Sequence, residues 1–172
     1  MAIYALGDDV PEIDDDAYVH PDAVVVGCVR VAAEASIWPC AVLRGDFGDI
    51  VVGPRSSVQD GTVVHAGMDY ATFIGAGCVV GHNVYLEGCL IEDGALVGSM
   101  ASVLPYAVVG TGAVVAAGAV VPRGTTVPAN ALALGVPAKI VENGAAEHDY
   151  AAGVQRYVDN ARRWARELRR ID

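Results

Sequence analysis

Aliphatic residues fall every six positions from Ile91 through Val97, Val103, Val109, Val115 and Val121 to Val127. The same spacing links Ile74, Val80 and Leu86, then Val52, Val58 and Val64, then Ile13, Val19, Val25, Val31, Ile37 and Leu43. The register breaks three times, with three extra residues after Leu43, four extra after Val64 and one missing after Leu86. Four residues beyond most of these aliphatics stands a small side chain, such as Ala23, Ala35, Ala41, Ser56, Thr62, Ala95, Ala101, Ala107, Ala113, Ala119 and Ala131. Two inward positions per six residues are thereby defined. A period of six matches neither the 3.6 of a helix nor the 2 of a hairpin strand, so the pattern predicts short strands joined by glycine-containing corners.

This pattern resembles the hexapeptide repeat of left-handed parallel β-helices, in which three flat faces make a coil of about 18 residues. The resemblance implies an all-β prism of slightly more than six coils over residues 1–143. Neighbouring coils would stack at the β spacing of about 4.8 Å, so a residue's counterpart three hexads later lies directly above it. After Asn143 the period changes. Tyr150, Val154, Tyr157, Ala161, Trp164, Leu168 and Ile171 recur at alternating spacings of four and three. That predicts one amphipathic α-helix within residues 144–172, packed on the prism or over its end.

Composition narrows the partners. The 172 residues carry a formal net charge of −10, and only one lysine, Lys139, is present. Nucleic-acid and anionic-membrane partners would require a dense basic face, so neither is expected. Residues 1–145 hold 16 acidic and 5 basic side chains, whereas 146–172 hold 5 and 6, and the helix arginines would offset the acidic coils. No apolar run reaches membrane-span length, and Asp8 and Asp9 near the start do not fit a leader. A cytoplasmic location is expected. Cys28, Cys40, Cys78 and Cys89 form neither a C-x-x-C pair nor the spacing of a disulfide framework, which makes them small buried residues.

Hexad counting also places the polar residues. With the insertions removed, Arg44, His65 and Glu87 follow equivalent aliphatics one coil apart and should form a ladder along one edge. His82 belongs to another face, and reaching a His65 ladder would take a second chain. His20 and His148 read as ordinary surface histidines.

These motifs, Arg44-Gly45-Asp46, Gln59-Asp60-Gly61, His65, and Gly81-His82 followed by Leu86-Glu87-Gly88-Cys89, resemble those of γ-class carbonic anhydrases and their homologues over almost the whole chain. The resemblance implies a homotrimer with Zn2+ between subunits, held by His65 and Glu87 of one chain and His82 of the next, with Fe2+ or Co2+ as substitutes. It further implies an Arg44–Asp46 ion pair beside the site, a Gln59 amide orienting metal-bound water, and Tyr157 of the helix looking in. The activity implied is hydration of carbon dioxide to bicarbonate by metal-bound hydroxide. Position 87 departs from the family, which has histidine there. A carboxylate ligand lowers the charge felt by the bound water, so Glu87→His is expected to raise hydration near neutral pH. Two other readings stand beside this one. An acyl-CoA-dependent acyltransferase on the same fold would need a catalytic histidine and a groove between coils, and the motif set argues against it. A trimeric metal-binding scaffold is the non-enzymatic alternative. Gly135-Val136-Pro137-Ala138-Lys139 marks the end of the coils in all of these relatives.

Overall fold

The computed structural model describes residues 2–145 and 150–172; His148 lies outside them. The fold is a left-handed parallel β-helix of about seven turns with one C-terminal helix. Its register follows the hexad count. Leu96 pairs with Val114, and Val114 with Leu132, each a step of 18 residues. Ser36 pairs with Ser57, Ser57 with Val79 and Val79 with Leu96, steps of 21, 22 and 17 that reproduce the three breaks in the repeat. One face is an eight-stranded sheet from Tyr18–Val19 to Lys139–Val141, whose last strand turns back antiparallel. The other two faces merge into one twelve-stranded sheet because the long strands Val24–Val31 and Val42–Val52 run around the corner between them.

The periodic aliphatics form the core. From Val19 to Val127 each of them is buried, while Ile13 at the open first coil is only partly so. Ala133 continues the series beyond Val127. The third residue after most of these aliphatics takes a left-handed conformation, which turns the chain from one face to the next. Gly112, Gly118 and Gly124 do this without penalty, and Asn83, Asn130, Met100 and Tyr106 occupy the same place in other coils. Because each core residue is enclosed by the coils above and below, little relaxation is available around a lost methyl. Ile37→Val, at a fully buried position, is expected to cost about 0.5–1.5 kcal/mol, read as a lower urea midpoint at unchanged slope.

The helix spans Tyr150–Glu167 and buries Val154, Val158 and Ala161. Tyr157 and Trp164 meet Trp38 edge to face at 6.3 and 5.2 Å. Arg55 reaches Gln155 at 2.7 Å and Glu34 at 3.0 Å, and Arg162 pairs with the same Glu34. The apolar stripe read from the sequence runs too far: Leu168 and Ile171 lie past the helix end and are exposed. Two other expectations need correction. His20 is not a surface residue, since Trp164 covers its ring at 5.5 Å and its Nδ1 accepts the Asp22 amide hydrogen at 3.0 Å. Cys78 and Cys89 are buried, but Cys28 is partly exposed and Cys40 exposed, the latter at a left-handed corner that points outward. Among the described residues no helix is long and apolar enough to cross a membrane.

Candidate functional site

The residues singled out by sequence divide between two corners of the prism. At the first, Arg44 pairs in register with His65, and His65 with Glu87. This is where the breaks in the repeat emerge. The extra residues after Leu43 form a bulge within the strand Val42–Val52 that carries Asp46 and Phe47, those after Val64 make the loop that carries Tyr70, and Glu87 and Gly88 close the shortened turn.

Side chains two apart on a strand share a face, and two such pairs build the corner. Arg44 Nη1 donates to Asp46 Oδ2 at 2.5 Å, and Asp46 Oδ1 lies 3.1 Å from His65 Nε2. On the other side of the imidazole, Nδ1 is 3.5 Å from Glu87 Oε1. The Tyr85 hydroxyl donates to Glu87 Oε2 at 2.7 Å, and the Tyr70 hydroxyl lies 3.3 Å from Oε1. His65 is thus placed between two carboxylates, its side chain only 12% exposed. The Tyr85 hydrogen bond holds the Glu87 carboxyl below the usual carboxylate range, against the opposing effect of burial, with Tyr70 and His65 assisting. For Asp46 burial acts upward, but the Arg44 hydrogen bond and charge bring the result below the ordinary value. Burial and the neighbouring Glu87 push the Tyr85 hydroxyl up to about 12.

Tyr70 and Tyr85 are functional candidates missed in the sequence. Tyr85 was detectable, because it stands two residues before Glu87 on the strand Tyr85–Glu87. Tyr70 lies in the insertion, outside any periodicity. Its ring rests on the backbone at Gly67 and Gly88, where a Cβ would collide with it.

The second corner holds the rest. His82 Nδ1 is 2.9 Å from Asp60 Oδ2, with side-chain exposures of 52% and 48%. Asp60 follows Gln59, whose side chain lies in a column above Trp38 and below Gly81, as the backbone pairs Trp38 with Val58 and Gln59 with Val80 show. Gln59 is 3% exposed, and its amide Nε2 is buried without a hydrogen-bond partner among the described residues. Tyr157 meets Trp38 edge to face beside this column. The predicted set of Arg44, Asp46, Gln59 and Tyr157 is therefore split, two at each corner.

A zinc ion was implied between these groups. Nitrogen and oxygen ligands about 2.0–2.2 Å from a tetrahedral metal stand about 3.3–3.5 Å apart. His65 Nδ1 and Glu87 Oε1 have that spacing, which exceeds an ordinary N–H···O hydrogen bond. Among the described residues, however, no three His, Cys, Asp or Glu side chains gather in a way that could hold a metal ion, so the residues of one chain do not by themselves make a metal site.

Comparison with known proteins places the chain at family level. No protein-family model matches it. It is 38% identical over 143 residues to the carnitine operon protein CaiE of Escherichia coli K12, covering 83% of this chain and 73% of that protein. The CaiE of Salmonella agona is 36% identical over 141 residues, 82% of this chain and 71% of that one. Among solved structures, a Bacillus cereus protein provisionally described as an acetyltransferase superposes with a TM-score of 0.94 at 32% identity, covering 97% of this chain and 98% of the other. A hexapeptide transferase family protein from Anaplasma phagocytophilum gives 0.88 at 32%, covering 95% and 98%. These relatives are named for transferases and for CaiE, so the shared identity is broader than the carbonic anhydrase class that the motifs resemble. The chain belongs to the CaiE-like family of hexapeptide-repeat proteins.

Proposed function

We propose that the protein is an acyltransferase of the hexapeptide class, moving an acyl group from a thioester donor to a hydroxyl or amine acceptor. The observation that carries this reading is the Asp60–His82 pair. A carboxylate on Nδ1 fixes the tautomer that leaves Nε2 as a base, and here Nε2 has no partner among the described residues and sits on a half-exposed side chain. The acceptor O–H or N–H would lose its proton to His82 Nε2 as the oxygen or nitrogen attacks the thioester carbonyl. As the C–S bond breaks, the departing thiolate takes that proton back, leaving the acylated acceptor, a free thiol and neutral His82. The relatives described as an acetyltransferase and a hexapeptide transferase support this class, and they reverse the order of preference expected from the motifs alone.

The functional unit in this reading is a trimer. The His82 and His65 corners lie on different edges of one prism, so a cleft containing both requires a second copy. The unpaired Gln59 amide supports the same assembly, because a buried donor without an acceptor costs about 1–3 kcal/mol unless another molecule satisfies it. Sedimentation equilibrium is expected to give three times the 17.7 kDa chain mass. With acetyl-CoA and a panel of hydroxyl and amine acceptors, release of free thiol should depend on the acceptor. Acceptor-independent background across the panel, together with carbon dioxide hydration by Zn2+-loaded protein, would favour the other reading.

That second reading is metal-assisted hydration, and the 3.5 Å spacing of His65 Nδ1 and Glu87 Oε1 supports it. A divalent metal held by His65 and Glu87, with His82 of a neighbouring copy, would acidify a coordinated water. Arg44 would hold Asp46, and Asp46 would fix the far side of the His65 ring.

A further inference from the structure

His82 stands in a column of turn residues. At its corner each coil sets one residue over the counterpart below, and the N–H of the residue after it donates to that counterpart's carbonyl. Gly61 N donates to Pro39 O at 3.0 Å, and Asn83 N to Asp60 O, Met100 N to His82 O and Gly118 N to Ser99 O at 2.9 Å each. The column therefore runs Pro39, Asp60, His82, Ser99, Ala117. Its three polar members are consecutive, with an inert residue at either end. Asp60 takes His82 Nδ1 from the coil below at 2.9 Å. The two nitrogens of an imidazole point apart, so Nε2 is turned away from Asp60, and Ser99 stands one coil up, about 4.8 Å along the prism.

The Ser99 hydroxyl is held against the backbone next to His82. A Cβ added at Gly81 would lie 3.1 Å from Ser99 Oγ and 2.8 Å from Ser99 N, so the missing side chain at Gly81 is what leaves the hydroxyl its place. Ser99 is half-buried, and among the described residues its hydroxyl has no hydrogen-bond partner, His82 included. A nucleophilic serine is hydrogen-bonded to its base. This one lies beside the base with its proton free to donate elsewhere. A base and an O–H donor one coil apart suit a tetrahedral centre, with the attacking atom against Nε2 and the former carbonyl oxygen against Oγ.

We propose that Ser99 is a catalytic residue of acyl transfer, its hydroxyl donating a hydrogen bond to the thioester carbonyl oxygen as that oxygen gains negative charge. When the acceptor attacks, the π electrons of the carbonyl move onto this oxygen. When they return, the C–S bond breaks and the thiolate takes the proton held by His82. Ser99 gives up no proton and forms no covalent bond. The role rests on the acyl-transfer reading of His82 and is independent of the His65 corner.

The test is the initial rate of acceptor-dependent thiol release from acetyl-CoA, over a range of pH and thioester concentration, for the unaltered chain, Ser99→Ala, Ser99→Cys and His82→Ala. Removing one donor of this kind costs about 10²- to 10³-fold in kcat. Ser99→Ala is expected to lose that much, with KM for the thioester and the sedimentation mass close to those of the unaltered chain. Its pH profile should keep the unaltered shape at a lower level because His82 is still in place, which a displaced base would not give. Should Ser99→Ala fail to assemble, Ser99→Cys, close in shape and only a weak donor, carries the comparison. If the unaltered protein shows no acceptor-dependent release across the panel, the acyl-transfer reading falls and the role of Ser99 with it. If the unaltered protein is active and His82→Ala is not, yet both Ser99 variants run at the unaltered rate, the role of Ser99 alone is overturned. Intact mass after incubation with acetyl-CoA and no acceptor should be unchanged; an acetyl group on Ser99 would overturn the donor role in favour of a nucleophile.

Discussion

His82→Ala is expected to lower acceptor-dependent thiol release by about 10²- to 10⁴-fold, the usual contribution of a positioned general base. The size of the loss follows from the absence of a substitute. His20 is buried under Trp164 with Nδ1 already accepting the Asp22 amide, and both ring nitrogens of His65 face carboxylates. Among the described residues, His82 alone combines a carboxylate on one ring nitrogen with a free, half-exposed second nitrogen. Its exposure also means that alanine there disturbs no core packing, so the sedimentation mass and urea midpoint should stay close to those of the unaltered chain. Asp60→Asn should give a smaller loss of the same kind, because the amide still contacts Nδ1 but no longer favours the tautomer that leaves Nε2 basic. Initial rates at saturating thioester check both variants. Full activity in His82→Ala would remove the acyltransfer reading as stated.

The parts of this architecture legible in the sequence are those governed by the repeat. A residue such as Val97 must face inward because every sixth position does, and the structure buries it along with its counterparts. The same arithmetic carries the register, so His65 stacking on Glu87 could be read by subtracting four residues, and Leu43, Val64 and Leu86 mark the corner where the chain departs from strict repetition. What escaped depends on contacts that no period records. His20 occupies an outward position and is buried only because a helix about 140 residues later lies over it. Leu168 and Ile171 keep the apolar spacing, yet there is no helix beneath them. Tyr70 comes from an inserted loop that pairs back on itself through Gly67, and its partner is known only once the loop is folded. The role of His82 was assigned by resemblance to a metal ligand, whereas its contact with Asp60, one coil below, is a tertiary fact.

Glu87→His is the second large effect, and its sign reverses under the structure. From the motif comparison, histidine should complete a set of three neutral ligands and raise carbon dioxide hydration near neutral pH. The corner as folded is built for a carboxylate. Two oxygens with about four lone-pair sites can accept Tyr85 and Tyr70 and still present an oxygen toward His65. A neutral imidazole has one acceptor nitrogen, which can serve a phenol or a metal but not both. Its remaining N–H would have to find an acceptor in a wall where Tyr85 and Tyr70 now both act as donors. Leaving a partly buried phenol unpaired costs about 1–3 kcal/mol, so Glu87→His should unfold at lower urea than the unaltered chain and gain no hydration activity in stopped-flow assays with Zn2+ content measured. Pairing it with Tyr85→Phe, which removes the competing donor, should recover part of the lost stability; a histidine variant that is both stable and faster without that second change would show that the tyrosines do not govern position 87.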